Sequence, residues 1–165
     1  MFPEQVSIHL SDILVVLGIA ASPISELRGA IPVAMIQFHY PWYLAFPLAV
    51  IGNLLPVPLI LLFLNAVTRL LSKVGFFDRL LQWLFERTRR RGTIIRKYEH
   101  FGLALFVAVP LPMTGAWTGS LAAVLLGIEF KRAFLSIFAG IVIAGIIVTC
   151  LSYFGVTIHG MWQQP

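Results

Sequence analysis

An acid and a base stand two residues apart in the stretch "SELRGAIP", inside one of the most apolar regions of the chain. The acid is Glu26 and the base is Arg28, and no Lys, Arg, Asp or Glu follows from Gly29 to Thr68. A charge inside a bilayer costs about 2.5–3.5 kcal/mol on insertion scales, so each needs a partner or a function. Residues i and i+2 do not face each other on a regular helix. We therefore expect no simple helical bridge between the two side chains, and we expect their partners elsewhere.

Two kinds of chemistry fit this pair. Arg28 suits a phosphate, because its planar fork donates two parallel hydrogen bonds. Glu26 suits a proton relay whose ionisation changes with access to water. Together they predict a site for an anionic headgroup or a proton-coupled substrate. The alternative is a buried structural ion network that holds two segments together.

Other polar and small residues are predicted to complete the site. The stretch "PLPMTGAWTG" offers hydroxyls, an indole and glycines that let another backbone approach closely, and a long apolar segment carries one amide. The candidate substrate-binding residues are Glu26, Arg28, Gly29, Asn53, Thr114, Gly115, Trp117 and Thr118. No nucleophile–base constellation, metal-ligand spacing or phosphate-cradling glycine loop is visible in the sequence. We therefore predict neither an enzyme nor a bound metal or cofactor.

The composition places these residues in a membrane. The chain has 165 residues, of which 59% are hydrophobic and only 12% are charged, whereas soluble domains carry about 25% charged residues. The uncharged runs 29–68, 101–128 and 133–158 each exceed the ~20 apolar residues that cross a bilayer. The sequence therefore predicts a single all-α integral membrane domain over 1–165.

The basic residues are concentrated in one part of the chain. Nine of the twelve Lys and Arg residues lie between Arg69 and Lys97, and Lys131 and Arg132 precede the last apolar run. By the positive-inside rule, these segments face the cytoplasm. We interpret the net charge of +5 as a topology signal and predict no nucleic-acid partner.

A basic amphipathic helix is predicted over 73–99, between two membrane halves. In 76–86, apolar residues recur at three- and four-residue spacing opposite polar and charged residues, which is typical of a helix. An apolar face opposite an Arg-rich face favours a helix that lies in the headgroup plane. The alternative is a solvated cytoplasmic helix capped by a basic loop.

The two halves, 6–72 and 100–159, follow one plan. Each has two short apolar segments, separated by Pro, Gly and polar residues, and then one long apolar helix. Short segments such as 13–21 and 103–109 are poor spans, so each pair predicts a re-entrant hairpin whose broken backbone is surrounded by protein or lines a water-filled cavity. The alternative is six conventional spans.

This plan agrees with the charge map. If the first hairpin opens outside and the second inside, every Lys and Arg except Arg28 lies on the cytoplasmic side. The two halves then have opposite orientation, which predicts an inverted repeat with its site at the repeat interface. Both termini are predicted to be extracytoplasmic.

The motifs "SELRGAIPVA" and "YEHFGLALFVAVPLPMTGAWTGSLAA", with a "GN" followed by prolines between them, resemble the bacterial small multidrug export protein family, which is related to the DedA-type membrane proteins. The resemblance covers roughly 22–158 and the motifs are long enough to be specific. It implies paired re-entrant hairpins, a bacterial cytoplasmic membrane location and transport, and it matches Glu26 and Arg28 to the family's charged tip. The second hairpin lacks the Arg that DedA proteins place near the equivalent tip.

Three functions follow from these observations. The resemblance implies lipid movement, because DedA relatives are associated with moving polyprenyl phosphate and phospholipids, and we therefore predict a lipid or lipid-phosphate translocase with its site between the hairpin tips. The second hypothesis is a proton-coupled exporter of small cationic compounds. The third is a non-transporting membrane scaffold that recruits partners through its basic helix. Membrane lipids are the predicted partners, and a homodimer would help to shield the polar tips.

Overall fold

The computed structural model describes residues 9–71, 93–110 and 114–162, and every regular element within them is a helix. The elements are α1 (Leu10–Ala21), α2 (Glu26–Pro32) with a π-helical turn (Val33–Gln37), α3 (Trp42–Leu54), α4 (Pro56–Leu71), α5 (Thr93–Ala108), α6 (Ala116–Leu125) and α7 (Phe130–Trp162). The all-α prediction is confirmed for these ranges. Of the predicted amphipathic helix, 73–92 lies outside the described residues, and 93–99 forms the start of α5.

Two helices are long and apolar enough to cross a membrane, Trp42–Phe63 and Phe130–Gly155. Only 33% of the apolar window in the first and 44% in the second are buried, so neither is an enclosed core helix of a soluble protein. Large apolar side chains such as Phe63 and Leu151 project outward from them, 68% and 65% exposed. These faces suit the hydrocarbon of a bilayer.

The first of these helices is interrupted at Leu55, between α3 and α4. Pro56 follows the interruption and has no N–H to donate to the carbonyl of Gly52, four residues earlier. Proline therefore accounts for the break, which falls beside Asn53, a residue of the candidate site.

Two helices precede each membrane-length helix, and of these α5 has 16 residues and the other three are shorter. α1 has 12 residues and α6 has 10, so at about 1.5 Å per residue they are roughly 15–18 Å long, about half of a hydrocarbon core of ~30 Å. α1 packs against α2, and α5 packs against α6. We call α1 with α2 the first helix pair, and α5 with α6 the second helix pair.

The long helices hold the two pairs together. α1 packs against α3 and α5 against α7, while α2 also contacts α7 and α6 contacts α4. Their shared core contains fully buried aliphatic side chains from both halves: Val16, Ile31, Val57, Leu61, Ile137 and Ile141. The ends of the two pairs are consequently brought against each other between the long helices.

Glycine is required where the first helix of each pair, α1 or α5, crosses a long helix, because the two backbones are in close contact there. A Cβ at Gly140 of α7 would lie 2.7 Å from the carbonyl oxygen of Ala104 and 2.6 Å from the Cβ of Val107, both on α5. A Cβ at Gly52 of α3 would lie 2.9 Å from the carbonyl oxygen of Leu17 on α1. No side chain fits at either crossing without moving a helix.

The Gly140→Ala variant is expected to unfold more easily than wild type, by about 1–3 kcal/mol, because α5 and α7 must separate to admit the methyl group. Thermal unfolding in detergent measures the loss. Gly102→Ala is the matched control, since nothing lies within 4 Å of the added Cβ there, and alanine favours a helix over glycine. Equal stability of the two variants would contradict this account of the crossing.

Candidate functional site

The carboxylate of Glu26 reaches from the first helix pair to the N-terminus of α6 in the second. The backbone N–H groups of Ala116 and Trp117 donate hydrogen bonds to it. These amides begin α6 and have no partner within the helix, and the positive end of the helix dipole lies there. The Glu26 side chain is only 7% exposed. The end of α6 thus holds a buried anion supplied by the chain itself.

The backbone at Glu26 explains how the side chain reaches α6. Its φ of 48° lies in the left-handed region, which costs a non-glycine residue about 1–2 kcal/mol and turns it out of regular helical geometry. The expectation that residues i and i+2 point apart holds for a regular helix and therefore does not apply to Glu26 and Arg28. Even so, the two side chains form no hydrogen bond. The Nη2 atom of Arg28 lies 4.0 Å from the Oε2 atom of Glu26, close enough for attraction but too far for a hydrogen bond.

Glycine at 115 makes room for this carboxylate. A Cβ built at Gly115 would overlap all three atoms of the Glu26 carboxyl group. The backbone there is extended, with φ 173°, so the need for glycine is one of space. We predicted from the sequence that a glycine at this tip admits another backbone, and that detail is wrong at Gly115, since a side chain approaches instead.

Three other predicted residues stabilise the second tip. The Trp117 Nε1–H donates to the carbonyl oxygen of Ala21 at 3.0 Å and thereby ties α6 to the end of α1. Thr118 Oγ1 accepts a hydrogen bond from the Gly115 N–H at 3.1 Å. Thr114 Oγ1 donates to the carbonyl oxygen of Val109 at 2.7 Å. Of these three, only Thr114 also lines the cavity described next.

A small cavity lies between the two tips. The centre of a water molecule can move through about 10 Å³ of it, which is room for about one water. Five of the predicted residues line it, namely Glu26, Arg28, Asn53, Thr114 and Gly115. Gly29 does not, because it faces Ile19 of α1, where a Cβ would lie 3.3 Å from the Cγ2 atom.

The apolar wall of this cavity was not predicted from the sequence. It consists of Leu27, Val107, Pro110, Ile141, Ala144 and Val148. The last three lie on α7 at helical spacing, which is the only signal that could have identified them, and ordinary core residues show the same spacing. This wall gives the charged residues of the cavity an apolar surrounding.

Asn53 is the most buried polar residue of the cavity lining, at 2% exposed. Its Oδ1 atom has no hydrogen-bond partner in the protein. A buried acceptor left in this condition costs about 1–3 kcal/mol. The amide therefore adds an unused acceptor to the site.

These groups define what the site can do. Its positive side consists of the α6 amides and the Arg28 guanidinium, and its negative side is the Glu26 carboxylate. The Arg28 side chain is 24% exposed. Such a site can exchange one anion for another or hold a proton on the acid. Within the described residues, no three His, Cys, Asp or Glu side chains come together in a group that could hold a metal ion.

Comparison with known proteins places this chain in a family. A family model described as "Putative small multi-drug export protein" matches residues 26–147, which is most of the chain and spans both tips of the site. No curated protein and no solved structure matches. The description supports membrane transport as the general role, in agreement with the two membrane-length helices. The chain therefore belongs to the small multi-drug export protein family, a family of membrane proteins.

Proposed function

We propose that the protein is a transporter that moves a phosphate-bearing lipid, a polyprenyl phosphate or a phospholipid, across the bacterial cytoplasmic membrane between the two tips. The observation that carries this proposal is the buried Glu26 carboxylate held by the α6 amides beside Arg28. A phosphate oxygen would accept the same two N–H bonds. The Arg28 fork would add a bidentate contact that a carboxylate in this position does not receive.

The phosphate and Glu26 cannot occupy the end of α6 together. The cavity has room for about one water, and two anions so close would repel each other. In the proposed cycle, the lipid phosphate therefore replaces the carboxylate, which turns away or takes up a proton. Proton coupling follows as part of the same proposal, with Glu26 as the acid.

The proposed architecture is an inverted repeat in which each helix pair is a re-entrant hairpin. Corresponding contacts support it: α1 meets α3 at Gly52 as α5 meets α7 at Gly140, and α2 contacts α7 as α6 contacts α4. Transporters of this plan bind substrate where helices break at mid-membrane depth. The proposal includes a relationship to DedA-type proteins, extracytoplasmic termini, and a homodimer that shields the tips.

A second candidate function is proton-coupled export of small cationic compounds. The family description favours it, and so does the buried acid Glu26, which could bind either a proton or a cation. In that mechanism the cation would meet Glu26 and the Asn53 oxygen. Arg28 would oppose it, because a guanidinium beside the site repels a cationic substrate.

Vesicles reconstituted with the purified protein test the two candidates side by side. Fluorescent phosphatidylglycerol reports lipid movement between leaflets, and ethidium uptake under an imposed pH gradient reports cation transport. We expect lipid movement above that of protein-free vesicles, and no gradient-driven uptake of ethidium. Ethidium uptake without lipid movement would establish the second candidate. Absence of both activities would favour the non-transporting scaffold.

A further inference from the structure

The unused oxygen of Asn53 points to a requirement of the ligand. Asn53 is fixed in place because the preceding Gly52 lies against α1, where a Cβ would be 2.7 Å from that of Ala20. Its Oδ1 atom is buried, lacks a protein partner and belongs to a residue that lines the same small cavity as Glu26. Buried acceptors are normally hydrogen-bonded, so we expect a donor that enters the cavity to bind this oxygen.

The polar groups around the cavity do not supply that donor. While it is ionised and held by the α6 amides, the Glu26 carboxylate accepts hydrogen bonds and offers no donor. The Gly115 N–H already donates to Thr118 Oγ1, and the Thr114 hydroxyl already donates to the carbonyl oxygen of Val109. Arg28 lies beside Glu26 and makes no hydrogen bond to the Asn53 oxygen. While Glu26 is ionised, the donor must therefore come from outside the protein, either from a water molecule or from a ligand.

A phosphate bound at the end of α6 would bring its own substituent into this space. If the headgroup alcohol carries a hydroxyl or an ammonium, that group can donate to Asn53 while the phosphate meets the α6 amides and Arg28. We propose that Asn53 is a specificity-determining residue, which selects phosphodiester headgroups that carry an O–H or N–H donor next to the phosphate. This inference rests on the proposed transport of phosphate-bearing lipids and names the class of headgroup.

A second buried oxygen shows why the position of Asn53 matters. Thr149 Oγ1 of α7 also lacks a protein partner and is buried, but Thr149 is not part of the cavity lining. An unpaired acceptor alone is therefore not evidence for a ligand. Among the residues that the structure describes, only Asn53 combines a buried unpaired oxygen with a place in the cavity lining beside Glu26. Thr149 provides a matched control.

Two lipids of equal charge test the inference. Phosphatidylglycerol and phosphatidylpropanol both carry one phosphodiester, and they differ in the two hydroxyls of the glycerol headgroup. In reconstituted vesicles, wild type is expected to move fluorescent phosphatidylglycerol about tenfold faster, the effect of one unmet buried hydrogen bond. Asn53→Leu, which keeps the side-chain size but lacks the amide, should move both lipids at one rate. Thr149→Val should keep the wild-type preference.

The outcomes separate this inference from the proposed function. Equal movement of both lipids by wild type would overturn the role of Asn53 and leave lipid transport standing. A preference that survives in Asn53→Leu would assign the discrimination to headgroup shape and would also overturn it. Movement of neither lipid would overturn this inference together with phospholipid transport, and of the proposed substrates it would leave polyprenyl phosphate, which has no headgroup alcohol. If Asn53→Leu does not fold, as judged by thermal unfolding, Asn53→Ala provides the same test with a smaller side chain.

Discussion

The Gly115→Ala variant is expected to be destabilised by about 3–5 kcal/mol, the usual cost of stranding a buried charge. The new methyl group would occupy the space of the Glu26 carboxyl group, so the carboxylate must leave the amides of Ala116 and Trp117. Alanine adopts the extended backbone at this position without strain. The loss of glycine as a helix-capping residue adds only about 1 kcal/mol or less. Chemical or thermal unfolding in detergent measures the effect.

A double-mutant cycle assigns this loss to the carboxylate. Glu26→Gly removes the acid and also suits the left-handed backbone at that position. In the Glu26→Gly background, Gly115→Ala should cost less than about 1 kcal/mol, because its methyl group then meets no carboxyl group. The coupling free energy between the two positions would be at least about 2–4 kcal/mol, the difference between the effects in the two backgrounds. If the two effects simply add, Gly115 does not act through Glu26.

The long helices were the most predictable part of the fold. Uncharged runs of sufficient length can be recognised without knowledge of tertiary contacts, and the structure places membrane-length helices at Trp42–Phe63 and Phe130–Gly155. The break at Leu55 was not predicted, although prolines follow it, because proline-containing membrane helices often continue. The orientation of the chain in the membrane stays a prediction.

The polar residues that line the cavity were predictable from the sequence, but their contacts and the apolar wall were not. Charged and amide side chains in apolar surroundings are conspicuous in a sequence, and three such predicted residues, Glu26, Arg28 and Asn53, line one cavity with Thr114 and Gly115. Their role in binding stays a prediction. The contact of Glu26 with α6 could not be predicted, since it joins segments about ninety residues apart and depends on a left-handed residue. Local rules for regular helices do not describe that geometry.

Substitution of Arg28 by lysine is expected to lower lipid transport at least tenfold, which corresponds to about 1.4 kcal/mol, while the protein stays folded. A lysine ammonium is a point charge and cannot reproduce the two parallel hydrogen bonds of the guanidinium to a phosphate. Stability should change by less than about 1 kcal/mol. The reason is that Arg28 is partly exposed and only 4.0 Å from Glu26, without a hydrogen bond. Flipping rates in vesicles and unfolding in detergent measure the two effects separately.

Combining Glu26→Gln with Arg28→Gln distinguishes a substrate site from a structural ion pair. If Arg28 only balances the buried acid, removing both charges relieves the cost of either single change, and transport should return. If Arg28 binds phosphate, the double variant should be stable but inactive, because no cation remains beside the α6 amides. We expect the second result. An active double variant would contradict the phosphate site and would leave Glu26 and Arg28 as a structural pair that joins the two helix tips.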